Sequence, residues 1–488
     1  MATRVPSSRT LPDPYLVAVA LLLALVLPNP AGYVGAAGDD FYYVQAARCV
    51  AAHGWCIPDT HWAARWPLVA PMGAVFALFG DGLWQSMVVP FAYSIMAVLL
   101  FVRVLDEAWG RATALMGGVA FVATASFAKG LLQPNVETIE VAWLIAAAWA
   151  GRRAITGNAR PVLWALVAGL FLGLAVQARM TTLAWLPIFA IALLVVPGRY
   201  RRLALPAMVG LAIPIGADML VNWHLTGNPL LNQHLSIVHT RIVSSELPAW
   251  VDRSRSPLFN PQFIGGWAPA SCIHAHWTVQ GAINLLMNPQ MGPVLLGSLL
   301  LLFLARKRLS WRSPEVLLAG AALLYTGALI YALAIDPKAR MFLPTAAIAA
   351  ALIGRLGVML WQEAGERVLV GIMLAGIVVM GAIATGKRFD MTIAGPLAGQ
   401  WARENPGKVA VEKDTAHTLT FDATVRTLPV WPIEFRPRVI MLVADRCNVS
   451  PVARSGMVLV RAHDFGRKND PLNLCEFRLS GPAGSPRP

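Results

Sequence analysis

Two neighbouring carboxylates, Asp39 and Asp40 in Gly38-Asp39-Asp40-Phe41-Tyr42-Tyr43, follow directly on the first long apolar run of the chain. Acids beside hydrocarbon are costly unless they stay solvated or do work. The work open to them is to take a proton from a hydroxyl or to help hold a divalent cation. The same residues also suit a helix start, which favours Asp. A second acidic feature is Gln133-Pro134-Asn135-Val136-Glu137-Thr138-Ile139-Glu140, in which Glu137 and Glu140 are spaced to share one helical face. Glu140 falls a turn deeper into an apolar run, where a carboxylate is either functional or paired with an arginine. Six cations, Arg48, Arg65, Lys129, Arg179, Lys338 and Arg340, stand at or near the ends of apolar runs. Guanidinium groups grip phosphate through paired N–H donors. Any one of these side chains also suits snorkelling to lipid head groups.

The elements that must position these groups are membrane helices. Of 488 residues, 57% are hydrophobic and 14% charged, against roughly 25% charged in soluble domains. Apolar runs near the length needed to cross about 30 Å of hydrocarbon recur to position 386. They read 14–36, 83–105, 112–130, 137–151, 161–179, 181–197, 203–223, 291–305, 315–335, 341–360 and 368–386. The first also resembles a signal peptide in its basic start and its small residues at 35–38, but its length favours an uncleaved helix.

Connectors alternate in charge. Arg4 and Arg9, Arg103 and Arg111, Arg152, Arg153 and Arg160, Arg199 to Arg202, Arg306 to Arg312, and Arg355 and Arg367 fall on one side, which the positive-inside rule makes cytoplasmic. The N-terminus is then inside and the C-terminus outside. This placement also accounts for the net charge of +14 without nucleic acid. The large outer segments are 38–82, whose apolar stretch 67–80 suits an interfacial or re-entrant helix, and 224–290.

From 387 onward the pattern changes to short β-type runs at 408–412, 439–443, 457–461 and 472–479. The predicted fold is mainly α: a polytopic membrane helix bundle of about eleven transmembrane helices over 1–386, followed by a small extracytoplasmic α/β or β domain at 387–488 with a disordered tail. Cys49 and Cys56 share the first outer segment, and Cys447 and Cys475 share the C-terminal domain. Disulfides are expected in an oxidising compartment, with free buried thiols as the alternative. Cys272-x-His274-x-His276 lacks the further partners of a metal site. Asn448-Val449-Ser450 is a glycosylation sequon discounted for its following proline. No phosphate-binding glycine loop is present.

The arrangement resembles the GT-C superfamily of membrane glycosyltransferases, in particular the bacterial relatives of protein O-mannosyltransferases and of the aminoarabinose transferase acting on lipid A (glycosyltransferase family 39-like). The acidic motif after the first helix resembles Gly38 to Tyr43. Arg65-Trp66-Pro67-Leu68-Val69-Ala70-Pro71, with Leu78-Phe79-Gly80, is similar to the family's basic-Pro-Leu stretch ending in Phe-Gly. Thr226-Gly227-Asn228-Pro229-Leu230 looks like its Gly-Asn/Asp-Pro-Leu turn, and Arg340-Met341-Phe342-Leu343-Pro344 resembles its Arg-Tyr-x-Leu-Pro. Two positions depart from the pattern: Asn135-Val136-Glu137 stands where the family usually has Arg-x-Asp, and Met341 replaces an aromatic.

The resemblance covers about residues 10–386. It implies a bacterial inner-membrane enzyme that moves a sugar from a polyprenyl-phosphate donor to a lipid, glycan or protein hydroxyl on the outer face. Asp39 or Asp40 would be the base, Arg65, Lys129, Arg179 and Arg340 would bind donor phosphate, and Glu137 and Glu140 would form a second acidic site. It fixes no cofactor; a divalent cation fits the expectation. A lipid-linked-substrate transporter or flippase would show related halves and midplane charges. An O-antigen ligase or polymerase would carry its main outer loop late in the chain.

Overall fold

Residue chemistry sets the helix starts. The Asp13 carboxylate accepts from the backbone N–H groups of Tyr15 and Leu16 at 2.8 and 3.3 Å, and Pro14 takes the first helical position, where its missing N–H costs nothing. The structure is a computed structural model. It describes residues 11–28, 39–156, 160–189, 198–246, 277–332, 339–385 and 391–404 and, beyond these, 409–412, 428–431, 439–444, 447, 457–464 and 473–479.

The N-terminal half runs through α1 (Pro14–Val26), α2 (Asp39–His53), α3 (Trp66–Phe79), α4 (Leu83–Trp109), α5 (Arg111–Val122), α6 (Ala125–Gly130), α7 (Val136–Ile155) and α8 (Pro161–Ala178). Helices Ala204–Thr226, Leu231–Glu246, Trp277–Met287, Gly292–Ala305, Pro314–Gly327, Leu343–Leu360 and Ala364–Thr385 follow. This is a mainly α, polytopic membrane protein.

The expected count of about eleven spans is not reached. Among the described residues, six helices are long and apolar enough to cross a membrane, or seven if Gly281–Met287 and Gly292–Arg308, bent by 101°, form one broken span. The reasons are local. The run at 112–130 breaks at Thr124 into α5 and α6. The run at 181–197 opens as a 3₁₀ turn, Met180–Ala184, and continues only to Phe189 among the described residues. α7 carries Glu137, Glu140, Arg152 and Arg153. α1 ends at Val26, and the described residues of that segment stop at Pro28.

Helix packing relies on small residues. Gly169 of α8 lies against Ala204–Thr226 so closely that a Cβ there would meet the Ala207 carbonyl oxygen at 1.8 Å, and Gly210 meets Leu166 in the same way. Such close approach replaces the hydrophobic drive that lipid does not supply. One core joins α1, α4 and α5 to the Leu343–Leu360 helix. A second, smaller core packs Tyr43, Ala47, Leu68 and Met72 against Val89, Val136, Ile139 and Ala178. It seats α2 and α3 at the end of the bundle where α7 begins and α8 finishes.

The C-terminal part is a five-stranded mixed sheet of order β2-β1-β3-β5-β4. β1 (Val409–Glu412) runs parallel to β2 (Val430–Trp431) and β3 (Val439–Ala444). β5 (Asn473–Leu479) lies antiparallel between β3 and β4 (Met457–Asp464), with Leu442 opposite Cys475. Helix Met391–Glu404 covers one face through Ala398, Trp401 and Ala402.

Candidate functional site

The site begins with the turn before α7. Asn135 caps that helix by accepting from the Thr138 N–H at 2.9 Å, while its own amide donates to the carbonyls of Gly130 and Gln133 at 2.9 and 2.8 Å. One side chain thus fixes both the turn and the helix start, and so places Gln133 on one side and Glu137 on the other. Gln133 Nε2 reaches across to α2 and donates to both oxygens of Asp40, at 3.1 and 3.0 Å. Asp40 is 3% exposed. Loss of water pushes its carboxyl up to about 6, opposed by the Gln133 hydrogen bond and by the Arg340 charge.

Arginines from two other elements close on the acids. Arg179, at the end of α8, donates to Glu137 Oε1 at 3.1 Å and sets its Nε 3.8 Å from Glu140 Oε2. Arg340, in the turn Ala339–Phe342, pairs with Asp39 and also stands 3.0 Å from Glu137 Oε1. Glu137 therefore lies between two guanidinium groups. Glu140, fully buried, accepts from the Thr182 hydroxyl at 2.6 Å and from Tyr325 at 3.5 Å. Arg65, at the start of α3, feels Tyr43, Arg179, Glu137 and Glu140, and desolvation lowers its pKa from the ordinary arginine value.

The structure thus brings Asp39, Asp40, Glu137, Glu140, Arg179 and Arg340 into one network, with Arg65 alongside. Lys129 stands on α6, four positions before Gln133 in the chain. Arg48 is drawn to Asp81 at 2.5 Å. Lys338, the Cys272-x-His274-x-His276 stretch and the sequon at 448–450 lie outside the described residues. Cys49 is bonded to Cys56 and Cys447 to Cys475. Gln133, Thr182 and Tyr325 receive no role from the sequence. Gln133 lies within the acidic stretch and could have been noticed, whereas Tyr325 sits in an apolar run with nothing to single it out.

The network has the chemistry of a site that binds an anion beside a base. Arginine carries five N–H donors, so an arginine already paired to a carboxylate keeps others for a ligand. A divalent cation is served less well. Among the described residues no three His, Cys, Asp or Glu side chains form a cradle for one. Asp40 faces an amide, and Asp39 and Glu137 face guanidinium groups. As paired here, these carboxylates do not form a cation site among the described residues.

The pattern of the dolichyl-phosphate-mannose-protein mannosyltransferase family matches residues 67–217. No curated protein matches the sequence. Among solved structures, the Archaeoglobus fulgidus oligosaccharyltransferase in complex with Zn and sulfate superposes with a TM-score of 0.57 at 13% identity, over 86% of this chain and 62% of that one. The chain therefore spans less than two thirds of that protein's length. The archaeal oligosaccharyltransferase AglB from Archaeoglobus fulgidus, with an inhibitory peptide and a dolichol-phosphate, gives 0.50 at 12% identity, over 84% of this chain and 63% of that one. ArnT from Cupriavidus metallidurans in the apo state aligns over 95% of this chain and 97% of its own, at 13% identity and a TM-score of 0.48. The family match and the fold shared with the archaeal enzyme bear out the resemblance to the GT-C superfamily.

Proposed function

We propose that this chain is an integral membrane glycosyltransferase that moves a sugar from a polyprenyl-phosphate donor to an acceptor hydroxyl at the outer face of the bacterial inner membrane. The observation that carries the reading is the buried Asp40 carboxylate set beside two arginines and three further acids drawn from α2, α7, the end of α8 and the turn at Ala339–Phe342. The family matched over residues 67–217 is named for transfer from a polyprenyl-type phosphate, which supports the choice of donor.

In this reading the acceptor hydroxyl gives its proton to Asp40 as its oxygen attacks the anomeric carbon. The bond from that carbon to the phosphate oxygen breaks, and polyprenyl phosphate leaves as an anion. Gln133 uses two of the roughly four lone-pair positions of Asp40 and leaves the others for the incoming proton. Arg65, Lys129, Arg179 and Arg340 hold the phosphate, where preorganised charge lowers the barrier most as negative charge develops on the leaving group. Asp39 positions Arg340, and Glu137 with Glu140 positions Arg179. Lipid anchoring of donor and enzyme in one membrane adds proximity.

The test is transfer of label from a panel of radiolabelled polyprenyl-phosphate sugars to membrane extracts by the wild type, Asp40→Asn and Asp39→Asn. Transfer by the wild type that is lost in folded Asp40→Asn supports the reading. Full transfer by both variants removes these aspartates from catalysis.

A further inference from the structure

A second buried polar group, centred on Asp218, meets Trp66 and Gln177 from the segments that carry Arg65 and Arg179. Asp218 is buried on the Ala204–Thr226 helix, two turns from its end. Asn232, at the start of the next helix, donates to both Asp218 oxygens at 2.8 and 2.7 Å. The intervening turn makes this meeting. Gly227 has φ +72°, a backbone that side chains disfavour. The Asn228 N–H donates to the Thr226 hydroxyl at 3.2 Å, and the Asn228 side chain accepts from the Leu230 N–H at 3.0 Å. The Thr226-Gly227-Asn228-Pro229-Leu230 motif thereby folds Asn232 back onto Asp218. Gln177, Trp66 and Asn222 also face that carboxylate.

The hydrogen bonding here is unfinished. Asn222 Nδ2 and the Trp66 indole N–H approach Asp218 without completing a well-formed bond to it, and Asn232 Oδ1 is likewise buried and open. Asn222 is 1% exposed. Polar contacts between membrane helices ordinarily satisfy one another, and a buried donor or acceptor left open is costly. This group leaves two donors and one acceptor open around a carboxylate. What completes it is a ligand with hydroxyl groups, which both donate and accept. Trp66, stacked on Trp55 with ring centroids 4.0 Å apart, adds an aromatic wall of the kind that suits the C–H face of a sugar ring. Trp66 packs on the small core that holds Tyr43, Val136, Ile139 and Ala178, and Arg65 just before it senses the charges of Arg179, Glu137 and Glu140.

We propose that Asp218, Asn222, Asn232 and Trp66 form the subsite that reads the hydroxyl groups of the donor sugar, next to the arginines that hold its phosphate. The inference rests on the glycosyltransferase reading above. The test is competition against radiolabelled undecaprenyl phosphate on the protein in lipid nanodiscs, with unlabelled undecaprenyl phosphate and its glucosyl, galactosyl, mannosyl and arabinosyl derivatives. The wild type is expected to bind at least one glycosylated lipid tenfold or more tightly than the bare one. Asn222→Leu and Asp218→Asn, each eluting as the wild type does on gel filtration, are expected to erase that preference and keep bare-lipid affinity within twofold. A preference that survives in both variants overturns the subsite, as does an equal weakening of bare and glycosylated lipids, the mark of a purely structural role. Wild-type binding of the bare lipid with no sugar preference overturns the subsite alone. No binding of the bare lipid overturns the phosphate-site reading together with it.

Discussion

Asp40 loses nearly all its hydration on α2, and its carboxyl is pushed up to about 6 by that burial, against the pull of Gln133 and Arg340. A raised pKa makes the carboxylate a stronger base while leaving it ionised at neutral pH. The acid form accumulates as pH falls through about 6, so the rate should fall by about tenfold for each further unit of acidification. A pH profile of kcat/KM measures this limb, and Asp40→Asn should both flatten it and lower the rate by about 10²- to 10⁴-fold.

Glu140 makes a different case, since it is fully buried and shares Arg179 with Glu137. Arg179 keeps Glu137 when Glu140 is removed, so what is lost is the acceptor of the buried Thr182 and Tyr325 hydroxyls, at a cost of about 1–3 kcal/mol for a buried group left open. Glu140→Ala should therefore lower the unfolding midpoint in detergent, while Glu140→Gln, which keeps an acceptor for Thr182, should lower it less. At this scale much of the site is legible in the sequence. Charges are scarce in an apolar chain, so Asp39, Asp40, Glu137, Glu140, Arg179 and Arg340 stand out. Asp218 is equally visible as a lone acid inside the run at 203–223, but no neighbour in the chain gives it a role. Thr182 and Tyr325 have types common in any membrane core, and only the fold shows that they meet Glu140.

At the scale of elements, the pairing of α8 with Ala204–Thr226 carries both polar groups, because Arg179 ends one helix and Asp218 lies on the other. Its closeness depends on Gly169, where an added methyl would collide with the Ala207 carbonyl. Gly169→Ala should force the helices apart and depress thermal stability and transfer together. Gly216→Ala on the same pair, with nothing within 4 Å of the added carbon, should change neither. Thermal unfolding of the two purified variants makes the comparison.

Element boundaries are less legible than element identity. The apolar run at 112–130 has no proline or charged break before Lys129, yet Thr124 turns its hydroxyl back to the Ala120 carbonyl at 2.8 Å and the chain bends there into α6. Period and composition measure apolarity and do not register such a bend. The β-type runs at 439–443 and 472–479 are readable because Val, Ile, Leu and Phe cluster there. The two-residue strand Val430–Trp431 is too short to read.

On the scale of the whole molecule, the alternation of arginine-rich connectors predicts that the sheet lies outside, on the same side as α2. Val458 is exposed on β4 and offers a place for a reporter thiol. An impermeant maleimide should label Val458→Cys above the wild-type background in right-side-out spheroplasts. Labelling confined to inverted vesicles would place the sheet in the cytoplasm.

The pairing of Arg340 with Asp39 and Glu137 also bears on how the protein is made. Asp39 and its partner are separated by 301 residues, so the ribosome delivers the acids of α2 and α7 long before the guanidinium that balances them. During synthesis α7 has Arg179 to accompany Glu137 and Glu140 across the translocon, whereas Asp39 has no matching charge until the last third of the chain emerges. Completion of this charge network is thus expected to be a late event in biogenesis, waiting on the segment that leads into the Leu343–Leu360 helix.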